Sequence, residues 1–269
     1  MLIRKRQACR SARFNRSMPI FFAPPAASSS SLLSGFERRK TIHDETVTKR
    51  IFADQGNRPS HAGANAQKAS MTKPDDDTLA FYRDNAATYA ARERKPPATR
   101  LAAFMARLAP GASVLDLGCG GGHDSLVLLD HGFDVSACDG SAELAREAEV
   151  RIGRKVEVIT FQEIVWEGRF DGIWAEASLL HVPRTELADV LTRIRRTLKP
   201  GGLLQASFKA GETEGHDRFG RYFNYPSAEW LRACFEDAGW PEPDISEADG
   251  SGYDGEPTRW LHVSARRTA

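Results

Sequence analysis

Two groups of residues carry chemistry by their type and spacing. The first lies in Val114-Leu-Asp-Leu-Gly-Cys-Gly-Gly-Gly-His-Asp-Ser125, where a short apolar run meets Gly118, Gly120, Gly121 and Gly122. Glycines at such a turn let the backbone reverse sharply and approach a ligand with no Cβ in the way. A dinucleotide fingerprint would read G-x-G-x-x-G. Here its third position falls on His123, and what stands instead is Asp116-x-Gly118-x-Gly120-x-Gly122. An acid ahead of the glycines would repel a pyrophosphate, so Asp116 is expected to face the cationic end of a ligand. The second group is Asp139, which closes the run FDVSACD 23 residues after Asp116. An acid at that place can accept two hydrogen bonds from ribose hydroxyls.

Other residues stand where a second reactant could meet that ligand. His181 follows FDGIWAEASLL and could orient or deprotonate a substrate; the structural alternative is a turn cap before Pro183. Arg221, Tyr222, Phe223 and Tyr225 form an aromatic-basic cluster with Arg218 and Phe219 nearby. Such an insertion reads as a lid in which Arg221 could hold an anionic substrate, or as packing against an N-terminal helix. His123, His131, His216 and His262 have no partner at metal-ligand spacing, and neither H-E-x-x-H nor G-x-S-x-G occurs, so no metal is expected. The cysteines, Cys9, Cys119, Cys138 and Cys234, include no C-x-x-C pair. Cys119 and Cys138 are expected as small buried residues at strand ends in a reducing cytoplasm.

The elements that must position these groups are legible as periodicities. TLAFYRDNAATYAAR predicts one amphipathic helix with Leu79, Tyr82, Ala86 and Tyr89 on one face, broken by Lys95-Pro96-Pro97. Thr99 is placed to cap a second helix, running to Leu108. Strands are expected at 113–117, 133–138, 156–160, 170–175, 203–208 and 260–265. Helices are expected at 122–131, 141–152, 184–198 and 227–238, with Ser141 and Ser227 as caps. Strands alternating with helices predict an α/β, Rossmann-like doubly wound, mostly parallel sheet with helices on both faces. Ligands of such sheets sit beyond the carboxyl ends of the strands, where the strand order reverses.

Four segments, spread over about Phe81 to Phe208, resemble the class I S-adenosylmethionine-dependent methyltransferases. VLDLGCGGG resembles their first motif, ACDGS their ribose-binding turn, FDGIWAEASLLHVP their fourth-strand motif and LKPGGLLQASF their fifth-strand motif. The resemblance implies S-adenosyl-L-methionine as cofactor. It places Gly118, Cys119 and Gly120 along the methionine and ribose, and Phe161 and Gln162 beside the adenine. Ala175, Glu176 and Ala177 would lie beside the sulfonium, and Tyr82 or Tyr89 would close the pocket from above. Glu163 or a neighbour would take the adenine amine. More narrowly, WAEASLLHVP with GRYFNYPSAEWLRACFEDAGW resembles bacterial small-molecule methyltransferases of the tellurite-resistance type, which implies a small or soft nucleophile.

Charge is divided along the chain. Residues 1–70 carry 13 Lys+Arg against 4 Asp+Glu, whereas residues 71–269 carry 24 against 32. A net +9 segment thus precedes a net −8 segment, and an acidic globular part opposes nucleic-acid binding. Residues 1–70 are Arg-, Pro- and Ser-rich and lack periodicity. They read as a non-native upstream extension, a disordered tail or a targeting segment, with Met71 opening a stretch that looks like a protein start. Residues 71–269 are expected to be the methyltransferase domain. No apolar run approaches the roughly 20 residues that span a membrane. The expectation is a cytoplasmic enzyme with a small-molecule methyl acceptor and no nucleic-acid partner. An RNA or protein methyltransferase and a non-catalytic cofactor-binding protein stand as alternatives.

Overall fold

The computed structural model describes residues 76–93 and 97–268; the expectations for residues 1–70 lie outside these. In chain order the elements begin with helices α1 (Asp76–Asp84), α2 (Ala86–Ala91) and α3 (Ala98–Met105). Then come β1 (Ser113–Leu117), α4 (His123–Asp130), β2 (Asp134–Asp139), α5 (Ala142–Ile152), β3 (Glu157–Val158) and β4 (Phe170–Ala175). The chain continues with α6 (Arg184–Thr197), β5 (Leu198–Lys209), β6 (Gly215–His216), β7 (Tyr222–Phe223), α7 (Ala228–Asp237), β8 (Asp244–Ser251) and β9 (Pro257–Arg266).

Seven strands form one sheet in the order β3-β2-β1-β4-β5-β9-β8. The first five are parallel, β9 runs antiparallel to β5, and β8 antiparallel to β9. The order reverses between β1 and β4, so the cleft beyond their carboxyl ends is the place where a ligand is expected.

Burial follows from the period of two along each strand. On one face of β5 and β9, Leu204, Ala206, Phe208, Leu261, Val263 and Ala265 are buried against α6 and α7. On the other face the parallel half is apolar as well: Val114, Val135 and Trp174 pack under Leu101 and Phe104 of α3 and Leu128 of α4. The antiparallel half of that face carries Gln205, Ser207, Lys209, Trp260, His262 and Ser264 instead, a polar wall with consequences below.

Ser141 and Ser227 cap their helices as expected, accepting from Leu144 N at 3.3 Å and Trp230 N at 3.2 Å, contacts worth about 1 kcal/mol each. Several expectations differ from the structure. The single helix over 78–92 is two, because Asn85 leaves helical geometry and turns its amide back onto the Phe81 carbonyl at 2.8 Å. The next helix starts after Pro97, with Thr99 inside its first turn rather than capping it. β3 is shorter than predicted, and β8 and the β6–β7 hairpin were not anticipated. β8 reads DISEADGS and lies exposed at the sheet edge, so it has no alternating pattern to reveal it.

Candidate functional site

The loop after β1 is held by its own backbone. Gly118 N and Cys119 N both donate to the Cys138 carbonyl at 2.9 Å, tying the loop to the end of β2. Gly118 has φ +74°, and a Cβ there would meet Ser178 Cβ at 2.5 Å. Glycine is therefore required both by conformation and by the close approach of the loop after β4. Gly120 has φ +54° and offers its N–H to Asp139 Oδ2 at 2.8 Å. Asp139 Oδ1 accepts from Ser141 N at 2.9 Å. Burial raises the pKa of this carboxyl, against the backbone N–H groups that lower it. One acid thus joins the glycine loop to the start of α5, with acceptor capacity left over for the cavity that it lines. Asp116 is buried at the loop's foot and accepts from Ser125 Oγ at 2.5 Å.

These residues line one cavity with Phe161, Gln162 and Ala177. Glu163 does not: its carboxylate is exposed and closes a capping box with Thr160 N and Oγ1, at 2.8 and 2.9 Å. Gln162 does. Its Nε2 donates to Glu186 Oε2 at 2.8 Å, which fixes the amide, and its Oε1 is buried with no partner. A buried carbonyl oxygen without a donor is a place for a ligand's amine. Ala177 has φ +51° and its N–H donates to Ser207 Oγ at 2.8 Å, which fixes the turn after β4 at the edge of the cavity. Tyr82 and Tyr89, 5.2 Å apart edge to face, form the roof from α1 and α2. The glycine cradle, Asp139 and the orphaned Gln162 oxygen fit a nucleoside with a ribose and an exocyclic amine.

His181 and Arg221 differ from their expected roles. His181 Nδ1 lies 2.6 Å from the Tyr222 carbonyl, which can only accept, so this nitrogen carries the proton. Nε2 then accepts from Tyr82 OH at 2.8 Å. Burial, with the charges of Arg221 and Lys209 adding to it, pushes the pKa of His181 down to about 4. With both nitrogens engaged, His181 holds the roof tyrosine instead of standing free as a base. Arg221 is buried, and its Nε and Nη2 both donate to Asp217 Oδ2, at 3.0 and 2.6 Å. Its guanidinium lies 4.7 Å from the Phe81 ring centre and 4.8 Å from that of Tyr253. It is a packed pin between the β6–β7 hairpin, α1 and the β8–β9 turn, not a free anion clamp on a lid. Tyr222, Phe223 and Asn224 around it are buried too.

A second cavity, of about 470 Å³, shares Tyr82, Tyr89, Glu176, Ala177 and His181 with the first. The sequence reading did not single out Lys209, Arg100, Tyr253 or Trp260, which line it. The position of Lys209 at the end of β5, on the face opposite Phe208, is the signal that could have found it. Among the described residues no group of three His, Cys, Asp or Glu could hold a metal ion, and no helix is long and apolar enough to cross a membrane.

Comparison with known proteins places this geometry. Residues 89–241 match the sequence profile of a family described as a methyltransferase domain. An uncharacterized methyltransferase of Synechocystis is 31% identical over 98 residues, which are 36% of this chain and 46% of that protein. A ubiquinone biosynthesis O-methyltransferase of Xanthomonas campestris is 37% identical over 116 residues, covering 39% and 46%. The chain thus spans about half the length of these curated relatives. Among solved structures, 1,6-didemethyltoxoflavin-N1-methyltransferase of Burkholderia thailandensis, with 1,6-didemethyltoxoflavin and S-adenosylhomocysteine bound, superposes with a TM-score of 0.59 at 22% identity. That match covers 77% of this chain and 99% of that one. A SAM-dependent methyltransferase of Methanosarcina mazei gives 0.57 at 19%, covering 65% and 98%. Likeness at this level is likeness of fold.

Proposed function

The chain belongs to the methyltransferase-domain family and has the class I S-adenosylmethionine-dependent fold; from this we propose that it transfers the methyl group of S-adenosyl-L-methionine to a small-molecule acceptor. The observation that carries the reading is the pair of cavities beyond the carboxyl ends of the strands. One is walled by the glycine loop and Asp139, the other is a concave chamber, and both meet at Glu176, Ala177 and His181. A cleft of about 470 Å³ is of the size that holds a small molecule. The net −8 of residues 71–269 disfavours a polyanion such as RNA. The small-molecule names of the Xanthomonas and Burkholderia proteins and the tellurite-type resemblance support the same reading.

The cofactor, when bound, supplies an activated methyl group on a sulfonium. The chain's task is to bind, orient and exclude water. Asp139 would accept the ribose hydroxyls, and Asp116 would face the ammonium. Gly118, Cys119 and Gly120 would let the backbone lie along the methionine and ribose. Phe161 would flank the adenine while Gln162 Oε1 accepts its amine. Ala177 would stand beside the sulfonium. Tyr82, held by His181, and Tyr89 would cover the site. These residues would hold the acceptor in line with the activated methyl group, so no covalent enzyme intermediate is needed.

The test is incubation with methyl-labelled S-adenosylmethionine and, in parallel, a small-metabolite extract, RNA and protein. Label in the metabolite fraction, lost in the Asp139→Ala variant, is expected. Label in RNA or protein alone would replace the small-molecule acceptor with a macromolecular one.

A further inference from the structure

The second cavity has a floor that the methyl-transfer reading does not explain. The period of two along β5 and β9 puts Ser207 and Lys209 on the same face as His262 and Trp260, which pair with them across the strands. A sheet face roofed by helices is usually apolar, as it is around Trp174 in the same sheet. Here it carries two polar groups left incomplete, Lys209 and His262, and Arg100 of α3 adds a third. Lys209 is half-buried, and its ammonium lies 4.2 Å from the centre of the Phe223 ring. No carboxylate of the described residues pairs with it. The acids that act on it, Asp254 and Asp217, are engaged by Arg218 at 3.3 Å and by Arg221. His262 is only 7% exposed, and its Nδ1 has no hydrogen-bond partner. Arg100 gives one arm to Glu176 at 2.5 Å, while its buried Nε has no acceptor.

Buried donors without acceptors cost free energy, and the Lys209 ammonium makes no direct ion pair, with Asp254 and Asp217 acting on it only from a distance while held by arginines. An anion in the chamber would satisfy Lys209 and the incomplete Arg100 Nε at once, and would fix the neutral His262 ring in the tautomer that carries its proton on Nδ1. The acids that also line the chamber do not supply it. Glu176 is taken by Arg100, Asp249 faces Arg259 at 3.7 Å, and Glu93 stands at the exposed rim. Aromatic rings make up much of the remaining wall: Tyr253 stacks on Tyr89 with rings 5.4 Å apart and 12° from parallel, and Trp260 and Phe223 add two more, while Arg92 lies over the Tyr89 and Tyr253 rings and donates to the Tyr253 carbonyl at 3.1 Å. Burial and the Arg221 charge lower the pKa of Lys209 against the opposing pull of Asp254 and Asp217.

We propose that this chamber binds a small planar acceptor through a carboxylate or equivalent anionic head, anchored by Lys209 Nζ with Arg100 and His262 completing the contact. The proposal rests on the small-molecule reading above and names the chemical class that reading leaves open. Arg221 contributes positive field to the same wall but not a free donor pair, since Asp217 holds it.

Benzoate and benzamide, equal in shape and different in charge, are suitable probes. Each is titrated by saturation-transfer NMR into the protein preloaded with S-adenosylhomocysteine. Wild type is expected to bind benzoate at least about tenfold more tightly than benzamide, a difference of about 1.4 kcal/mol. Lys209→Met, which keeps the stem against its neighbours, should erase the preference, and Lys209→Arg should retain it. Should the Met variant melt early, Lys209→Gln takes its place. Absence of an anion preference in wild type, or its survival in folded Lys209→Met, overturns the proposal. Failure of the small-molecule reading shows itself differently, as methyl label in RNA or protein whatever benzoate does.

Discussion

Gln162 and His181 are the residues whose hydrogen bonds fix most about the site. Glu186 holds the Gln162 amide by its nitrogen, so the buried oxygen can only serve a ligand donor. Gln162→Ala is expected to weaken S-adenosylhomocysteine binding by roughly 0.5–1.5 kcal/mol, the worth of one neutral hydrogen bond. Glu163→Ala, whose carboxylate serves Thr160, should leave affinity unchanged in the same calorimetric titration. The reverse pattern would return the adenine contact to Glu163. His181 makes a prediction about pH. Its folded pKa is about 4, below the value of about 6.5 for an unfolded histidine. As pH falls through 6.5 the unfolded chain takes a proton that the folded chain refuses, so stability declines between 6.5 and 4 and is level above that window. The shift corresponds to roughly 3 kcal/mol at most. His262, also lowered to about 4 by burial, acts in the same direction. Urea midpoints at pH 7.5 and 5 should separate less in His181→Gln than in wild type; equal separation would mean that His181 is not held neutral.

The roof and the hairpin behave as one unit. Thr78 Oγ1 of α1 accepts from Tyr222 N at 2.7 Å, Tyr82 donates to His181, and Arg221 sits among Phe81, Phe219, Phe223 and Tyr253. Removing Arg221 would leave the Asp217 carboxylate, itself mostly buried, without its partner. Arg221→Ala is therefore expected to cost roughly 2–4 kcal/mol of stability in denaturant unfolding. A variant as stable as wild type would show that the ion pair and its aromatic cage are not what joins hairpin to roof. At this scale the sequence was uneven. The parallel strands and their helices were legible because burial on both faces leaves apolar runs such as SVLDL. The β6–β7 hairpin was read only as an aromatic-basic insertion, because strands of two residues carry no period. The break at Asn85 depends on one side chain turning back on its helix, which a hydrophobic pattern does not register.

Across the whole molecule the sheet has two halves with separate tasks. The parallel half, β3-β2-β1-β4-β5, presents the glycine loop, Asp139, Gln162 and Ala177. The antiparallel half, β5-β9-β8, supplies the polar wall of the second chamber. The first half was readable because the residues proposed to hold the ligand follow strand ends at fixed spacing, Asp116 and Asp139 above all. The second was not, because Arg100, Lys209 and His262 are 53 to 162 positions apart in the chain and meet only through strand pairing and the docking of α3. Everything proposed for the second half depends on the first half being a site for S-adenosylmethionine. Isothermal titration of S-adenosylhomocysteine and NAD into wild type and Asp139→Ala tests this most directly. S-adenosylhomocysteine should bind wild type while NAD gives no heat, and Asp139→Ala, with native circular dichroism, should bind more weakly by roughly 2–4 kcal/mol from lost charge-assisted hydrogen bonds. No heat from S-adenosylhomocysteine, or an affinity within about twofold of wild type in the folded variant, would contradict the account, since such a difference is below 0.5 kcal/mol.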